Sequence, residues 1–284
     1  MSDNRPEVLR DIAERVATDA AAFVRHRRAE LVGAGPQPIG SAAVAAKSTR
    51  TDPVTVVDTE TERFIRDRLT RLRPGDSILG EEGGGPVDSD AGVCWVVDPI
   101  DGTVNFVYGI PAYAVSIGAQ VNGTSVAGAV IDVVGGELYS ASIGSGAHMI
   151  SAGERRVIQC SDVDELSMAL LGTGFGYAPR RRTEQSRLLA EMLPLVRDVR
   201  RIGSASLDLC LVASGRLDAH YEHGLQVWDW AAGAVIAAEA GAVVRLPQPG
   251  GSTGGAGLTL VSAPGIADEL IATLDLFGGL DPLP

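Results

Sequence analysis

The chain has 284 residues, 45% hydrophobic and 5% aromatic, enough apolar material for one large folded unit or two closely packed subdomains. Its 36 acidic against 24 basic residues give a formal charge of -12, a field that repels nucleic acid and anionic membranes on average and excludes both as expected partners. No apolar run approaches the roughly 20 residues of a membrane span, and residues 1–28 lack the continuous apolar core of a signal peptide. Cys94, Cys160 and Cys210 form an odd set without Cys-x-x-Cys spacing, which reads as buried free thiols in a reducing compartment, so a cytoplasmic protein is expected.

Taken along the chain, Val8, Ile12, Val16, Ala20 and Val24 recur every fourth residue, with Leu9 and Phe23 beside them, and predict an amphipathic helix over Glu7 to Leu31. Gly33 to Ser41 holds three glycines and two prolines and reads as a loop. A second helix is predicted from Asp58 to Leu72, entered through Thr55-Val56-Val57-Asp58 with capping-box spacing and closed by Arg73-Pro74-Gly75-Asp76. From Ser77 the pattern changes to strands: Ser77 to Leu79, Val93 to Val97, Ala112 to Val121, then Ser125 to Val133 after the hairpin signal Asn122-Gly123. Glu137 to Ser142, Ala147 to Ile150 and Arg155 to Cys160 continue them, and an antiparallel meander flanked by the first helices is expected. The second half alternates: strand Ala169 to Thr173, helices Glu184 to Leu195 and Ser204 to Ser214, strand Asp218 to Tyr221, helix Trp230 to Ala240 stopped by Gly241. Strands Val243 to Leu246 and Leu258 to Val261, a glycine-rich surface hairpin from Gln248 to Gly257 and a helix from Pro264 to Leu274 complete the chain. The basic runs Arg180-Arg181-Arg182 and Arg197 to Arg201 read as solvated helix face or loop, with a local basic patch as the alternative. Layers of helix and sheet in succession predict an α+β sandwich, as a single domain with an N-terminal α+β subdomain over about 1–165 and a C-terminal α/β subdomain over about 166–284.

The chemistry concentrates in Trp95-Val96-Val97-Asp98-Pro99-Ile100-Asp101-Gly102-Thr103-Val104-Asn105-Phe106, where two carboxylates, a free carbonyl and a hydroxyl fall in one turn after an apolar strand. Magnesium takes oxygen ligands in near-octahedral geometry, usually a few carboxylates with waters and substrate phosphate oxygens. Asp98, the Ile100 carbonyl and Asp101 can supply that set, with Pro99 fixing φ and Gly102 permitting a conformation closed to other residues. Asp-Pro-x-Asp-Gly is also an ordinary turn composition, and Thr103 is either a catalytic hydroxyl or a helix cap. His26, His148, His220 and His223 show no metal or triad spacing, and no Gly-x-Ser-x-Gly elbow occurs, so serine and cysteine hydrolase readings are excluded.

With Lys47, Asp58, Gly80-Glu81-Glu82, Glu222 and Trp228-Asp229, that segment resembles the inositol monophosphatase family of lithium-sensitive, magnesium-dependent phosphatases, most of all its actinobacterial SuhB-type members. The resemblance runs from about Lys47 to the end of the chain. It implies a five-layer αβαβα sandwich, shared with the fructose-1,6-bisphosphatases, with the active site between two sheets. It also implies two or three Mg²⁺ per site: Glu81 on the first and third metals, Asp98 bridging the first and second, the Ile100 carbonyl completing the first, Asp101 and Asp229 on the second. Thr103 and Asp58 would orient the attacking water and accept its proton; Glu82 would support. Glu222 would bond the hydroxyls of a small phosphorylated polyol, beside a backbone contact from Gly203-Ser204-Ala205 and contacts from Asp101, Gly102, Thr103 and Asp229. Lys47 would pair with the site carboxylates or the third metal's water shell.

Read from the residues alone, Asp229 is a helix cap, Trp228 is core, and Glu81-Glu82 is a solvated acidic pair. The long Gly33 to Ser41 loop and Gly83-Gly84-Gly85 depart from the family pattern and bear on loop closure and the third metal. The expected activity is Mg²⁺-dependent hydrolysis of myo-inositol 1-phosphate, by a lithium-inhibited homodimer. The rivals are fructose 1,6-bisphosphatase or histidinol-phosphatase activity on the same fold, or a non-catalytic regulatory binding protein. No arginine or lysine adjoins Glu222 or Trp228 in sequence, which weighs against the bisphosphate readings.

Overall fold

Pro6 opens α1 (Pro6–Val32), where a missing amide proton removes no helical hydrogen bond, and Gly33 closes it with φ 75°. The expected Leu9, Val16, Ala20 and Val24 are buried, joined by Ala13, Ala17 and Ala21, while the expected Val8 and Ile12 are only half-buried. The reason is steric: alanines on this face let the helix lie close against the sheet. The computed structural model describes residues 3–33, 35–40, 43–47, 53–86, 92–247 and 257–284. The predicted hairpin at Gln248 to Gly257 therefore lies outside the described residues except for Gly257, as do Ala34 and Ser41 of the predicted first loop.

A short antiparallel pair unforeseen in the sequence, β1 (Val44–Ala46) with β2 (Pro53–Thr55), leads into α2 (Val56–Leu72). The capping box forms: the Thr55 hydroxyl accepts from the Asp58 amide at 3.4 Å, and Asp58 Oδ2 accepts from the Thr55 amide at 2.9 Å. Next come β3 (Ser77–Gly80), β4 (Val93–Asp101), α3 (Thr103–Tyr108), β5 (Ala114–Val121), β6 (Thr124–Asp132), β7 (Leu138–Ser142), β8 (Ala147–Ser151) and β9 (Glu154–Ile158). The strands form a seven-stranded sheet in sequence order. Asn122 and Gly123 turn the β5–β6 hairpin with φ 51° and 75°, the positive pair that a type I′ turn requires. The expected antiparallel meander holds from β4 onward, but β3 pairs with β4 in parallel.

The second sheet is mixed. It contains β10 (Leu170–Thr173), then, after α4 (Pro179–Met192), β11 (Asp198–Arg200); after α5 (Ala205–Ala213), β12 (Ala219–His223); and after α6 (Val227–Glu239), β13 (Val243–Arg245) and β14 (Leu258–Ser262), before α7 (Ala267–Leu276). The spatial order is β11-β10-β12-β14-β13, with β10 parallel to both neighbours. Two expectations change here. The fourth helix starts at Pro179 instead of Glu184, which places Arg180 to Arg182 in its first turn, and the run Arg197 to Arg201 supplies a three-residue edge strand.

α1 and α2 cover one face of the first sheet; α5 and α6 fill the space between the sheets; α4 and α7 cover the outer face of the second. This is the expected α+β sandwich in five layers, αβαβα. Cys94 and Cys210 are buried free thiols, while Cys160 is only half-buried, at the end of the first sheet. Among the described residues no helix is long and apolar enough to cross a membrane.

The central helix α6 presses directly on the first sheet. A Cβ at Gly128 would stand 2.7 Å from Ala232 Cα, and one at Gly118 would stand 3.0 Å from Ala231 Cβ. Gly128→Val is accordingly expected to lower stability by about 2 kcal/mol through overpacking, read as a shift in urea midpoint; an unchanged midpoint would contradict this close approach.

Candidate active site

β4 is buried over its whole length and ends in the metal-ligand candidates. Its register with β5 breaks between Asp98 and Asp101, so the strand bulges where the carboxylates leave it. Asp98 Oδ1 accepts the Ile100 amide at 3.0 Å, which fixes its rotamer. Gly102 has φ 97°, and a Cβ there would stand 3.0 Å from the Ala112 carbonyl and 3.1 Å from the Gly203 carbonyl, so only glycine fits the turn into α3.

Asp101 is held from the second half of the chain. Its Oδ2 accepts the Ser204 hydroxyl at 2.7 Å, the Ser206 amide at 2.7 Å and the Ser206 hydroxyl at 2.5 Å. The stretch Gly203-Ser204-Ala205 thus spends its hydroxyl and the start of α5 on a carboxylate, a use the sequence does not announce, and Ser206 is a site residue that sequence reasoning missed. Asp229 lies in the first turn of α6, where Oδ2 accepts the Gln226 amide at 2.6 Å. The capping role and the site position coincide.

Carboxylate oxygens of Asp98, Asp101 and Asp229 all lie within 4.8 Å of one another. None of the three makes a salt bridge among the described residues. Burial, then repulsion from Glu81, Asp101 and Asp229, drives Asp98 well above the usual carboxylate range; burial and repulsion do the same to Asp229. Burial raises Asp101 too, against the Ser206 and Ser204 bonds that favour its charge. Buried acids converging without a cation fit a hard divalent metal, which takes oxygen ligands and removes their repulsion.

Glu81 sits at the end of β3, outside that trio, although it faces Asp98 closely enough to raise its pKa. Its carboxylate accepts from Lys47 Nζ at 2.7 Å, and Glu82 accepts from the same ammonium at 2.5 Å. Burial pushes Glu81 up to about 7 in spite of this pairing. The acidic turn is anchored by Glu62 of α2, which accepts the Glu82 amide at 2.6 Å and the Gly83 amide at 2.9 Å. A Cβ at Gly80 or Gly83 would stand 2.4 or 2.7 Å from the Glu62 carboxylate, which explains two glycines around the acids.

Behind this group, the Thr103 hydroxyl lies 3.0 Å from Asp58 Oδ1 and 3.1 Å from the Ile100 carbonyl. Its one proton serves one acceptor at a time. Asp58 is fully buried, and burial raises it to about 6 against the bonds from Thr55.

The carboxylates open into a cleft of about 610 Å³ between the sheets. Lys47, Glu81, Asp98, Ile100, Asp101, Gly102, Thr103, Gly203, Ser204, Ala205, Glu222 and Asp229 all line it, with Asp58 and Glu82 just behind; the half-buried Trp228 also lines it. Glu222 forms the far wall, raised to about 8 by burial. Arg181 and Arg201 line the same cleft, and Arg201 is near enough to favour the charged form of Glu222. The absence of a basic neighbour to Glu222 in the sequence is therefore corrected by the fold, because α4 and the segment after β11 supply two guanidinium groups.

Comparison with known proteins agrees with this geometry. The model of the inositol monophosphatase family matches residues 5–275. The chain belongs to the inositol monophosphatase family. An inositol-1-monophosphatase from Mycobacterium leprae is 66% identical over 285 residues, covering 99% of this chain and 98% of that protein. Among solved structures, Mycobacterium tuberculosis SuhB superimposes with a TM-score of 0.83 at 60% identity, covering 98% of this chain and 100% of the other. The inositol monophosphatase from Anabaena (Nostoc) sp. PCC 7120 gives 0.77 at 32% identity, covering 98% of both chains. The five-layer sandwich of this family member is thus shared by its solved relatives.

The acids of this site titrate far above exposed carboxylates, whose pKa is about 4. Asp58, Glu81 and Glu222 keep protons in the folded chain up to about 6, 7 and 8. Folding therefore binds protons, and the stability they contribute is complete below about pH 4 and lost as pH rises through their folded values. In EDTA the melting temperature should fall between pH 6 and 9, and Mg²⁺ should restore it most at the high end. A melting temperature that is flat with pH and insensitive to Mg²⁺ would contradict this site.

Proposed function

We propose that this chain is a Mg²⁺-dependent phosphomonoesterase that hydrolyses myo-inositol 1-phosphate to inositol and phosphate. The observation that carries the reading is the convergence of the buried Asp98 and Asp101 with the half-buried Asp229, oxygens within 4.8 Å, beside the 3.0 Å Thr103–Asp58 pair. Asp98, the Ile100 carbonyl, Asp101, Asp229 and Glu81 would hold two or three Mg²⁺ ions, with Lys47 and Glu82 auxiliary to Glu81. When bound, the cations supply charge neutralisation, polarisation of the phosphate and a lower pKa for coordinated water.

The remaining work falls to the chain itself. The Thr103 proton goes to Asp58 Oδ1, the nearer of its two acceptors at 3.0 Å, and the hydroxyl oxygen is free to accept from the attacking water; the Ile100 carbonyl would be left for a cation. Asp58 Oδ1 then takes the proton through Thr103. Its pKa of about 6 lies close enough to neutrality for a general base. The water oxygen–phosphorus bond forms as the phosphorus–inositol oxygen bond breaks; the inositol oxygen takes a proton from a solvent water, and the proton held on Asp58 returns to solvent when the products leave. Glu222, across the cleft, holds polyol hydroxyls, with Gly102 and Gly203-Ser204-Ala205 as the floor.

Arg181 and Arg201 favour a second reading. An arginine pair on the cleft wall suits a further phosphate on the substrate, as in fructose 1,6-bisphosphate, and keeps that activity beside the monophosphatase reading. Homodimerisation, lithium inhibition and a cytoplasmic location accompany the reading, open to sedimentation, Li⁺ titration and fractionation.

Phosphate release should be Mg²⁺-dependent, abolished by EDTA, and greater for inositol 1-phosphate than for fructose 1,6-bisphosphate, histidinol phosphate or adenosine 3′,5′-bisphosphate. No turnover of any of them would favour a regulatory binding protein instead. Asp98→Asn should fall to background with its melting curve retained, and Thr103→Ala should lose about 10²-fold in kcat; full activity in either variant contradicts the assigned roles.

A further inference from the structure

Beneath the far wall of the cleft lies a group that the hydrolysis scheme leaves unused. His220, on β12, is completely buried, and its ring stands between two acids: Nδ1 is 3.7 Å from Asp208 Oδ2 and Nε2 is 3.6 Å from Glu222 Oε2. Both ring nitrogens and Asp208 Oδ1 lack a hydrogen-bond partner among the described residues. Three orphaned polar atoms so close together are costly, and a closing movement of about half an ångström would bring both contacts into hydrogen-bond range.

The surrounding sequence makes room for this arrangement. His220 pairs with Gly172 of β10, where a Cβ would stand 3.0 Å from Nδ1 and 3.3 Å from Asp208 Oδ1. At Gly174 a Cβ would stand 2.0 Å from Glu222 Oε2. The glycines of Gly172-Thr173-Gly174 thus leave space on one strand for the imidazole and for the Glu222 carboxyl. The other charged groups acting here are Arg201, which favours the charged forms of Asp208 and Glu222, and Asp101, which opposes them.

We propose that His220, itself fixed by Asp208 of α5, is a positioning residue that holds the Glu222 carboxyl in the orientation that receives a substrate hydroxyl. The inference rests on the polyol phosphate reading above. Burial keeps His220 neutral, at about 3, and drives Asp208 well above the carboxylate range. The protonated Asp208 then donates to Nδ1, and Nε2–H donates to Glu222 Oε2. This engages the oxygen on the protein side and leaves Oε1 for the ligand. Substrate discrimination by hydroxyl pattern then depends on a residue that touches no substrate.

The test compares inositol 1-phosphate with p-nitrophenyl phosphate, which carries the ester but no hydroxyls for Glu222. In His220→Phe the KM for inositol 1-phosphate should rise about tenfold, the effect of one lost hydrogen bond, while kcat/KM for p-nitrophenyl phosphate keeps its parent value. His220→Gln, whose amide nitrogen can stand in for Nε2, should recover most of the affinity. Equal losses on both substrates, or no change on either, overturn the proposal. Where circular dichroism shows that His220→Phe does not fold, Asp208→Leu, which removes the donor to Nδ1, must produce the same split. If the parent chain hydrolyses p-nitrophenyl phosphate but not inositol 1-phosphate, the substrate reading fails by itself. The positioning claim is then decided by ¹⁵N NMR of the His220 ring: Glu222→Gln should shift the Nε2 resonance, and an unmoved resonance overturns it.

Discussion

Three carboxylates that repel one another, two buried and one half-buried, set the conditions for the rest of this molecule. Asp98, Asp101 and Asp229 have no ion-pair partner among the described residues, and each is raised above the ordinary carboxylate range. Leaving such a group unpaired in an apolar interior is expensive. The fold answers with directed dipoles. The N-termini of α5 and α6 both point at the cluster, and their amides and serine hydroxyls bond Asp101 and Asp229. These bonds leave the mutual repulsion of the three acids in place, and divalent cations would relieve it.

The five-layer architecture follows from the need to bring those groups together. Asp98 and Asp101 arrive on a fully buried strand of the first sheet, whereas Asp229 and the Ser204–Ser206 donors arrive on helices of the middle layer. The glycines at 118 and 128 let α6 settle onto the first sheet, and Gly102 lets the turn after β4 approach Gly203. Small residues at these contacts therefore serve the site as much as the core. Cleft depth follows as well: the second sheet stands off by the thickness of a helix, and Glu222 faces the acids across the gap.

Much of the site is legible in the sequence because its densest part is local. Asp98 to Thr103 lie within one turn, so residue types and spacing alone state an oxygen-rich chemistry. Glu81, Glu222 and Asp229 are distant in sequence and become legible only through resemblance to a family. The supporting contacts left no such trace. Ser206 reaches Asp101 across more than a hundred residues, Glu62 holds the Glu81–Gly83 turn from another helix, and Arg201 belongs to a run that reads as surface. The fold was missed where the local pattern is weak. The edge strand β11 is three residues long with mostly charged side chains, β1 and β2 are equally short, and the parallel entry of β3 depends on a crossover that alternation does not encode. For α1 the period and most of the buried stripe were readable, and what the pattern did not show is that Ala13, Ala17 and Ala21 bury alongside while Val8 and Ile12 lie at its edge.

The most direct test of this account is isothermal titration of Mg²⁺ into the metal-free protein near pH 7, repeated in buffers of different ionisation enthalpy. Because the carboxylates hold protons above their ordinary range, cation binding should release protons, and the observed enthalpy should vary with the buffer; Asp98→Asn should weaken binding sharply. Saturable Mg²⁺ binding without proton release, or with Asp98→Asn binding as the parent does, would contradict the claim that repulsion among these buried acids builds the metal site.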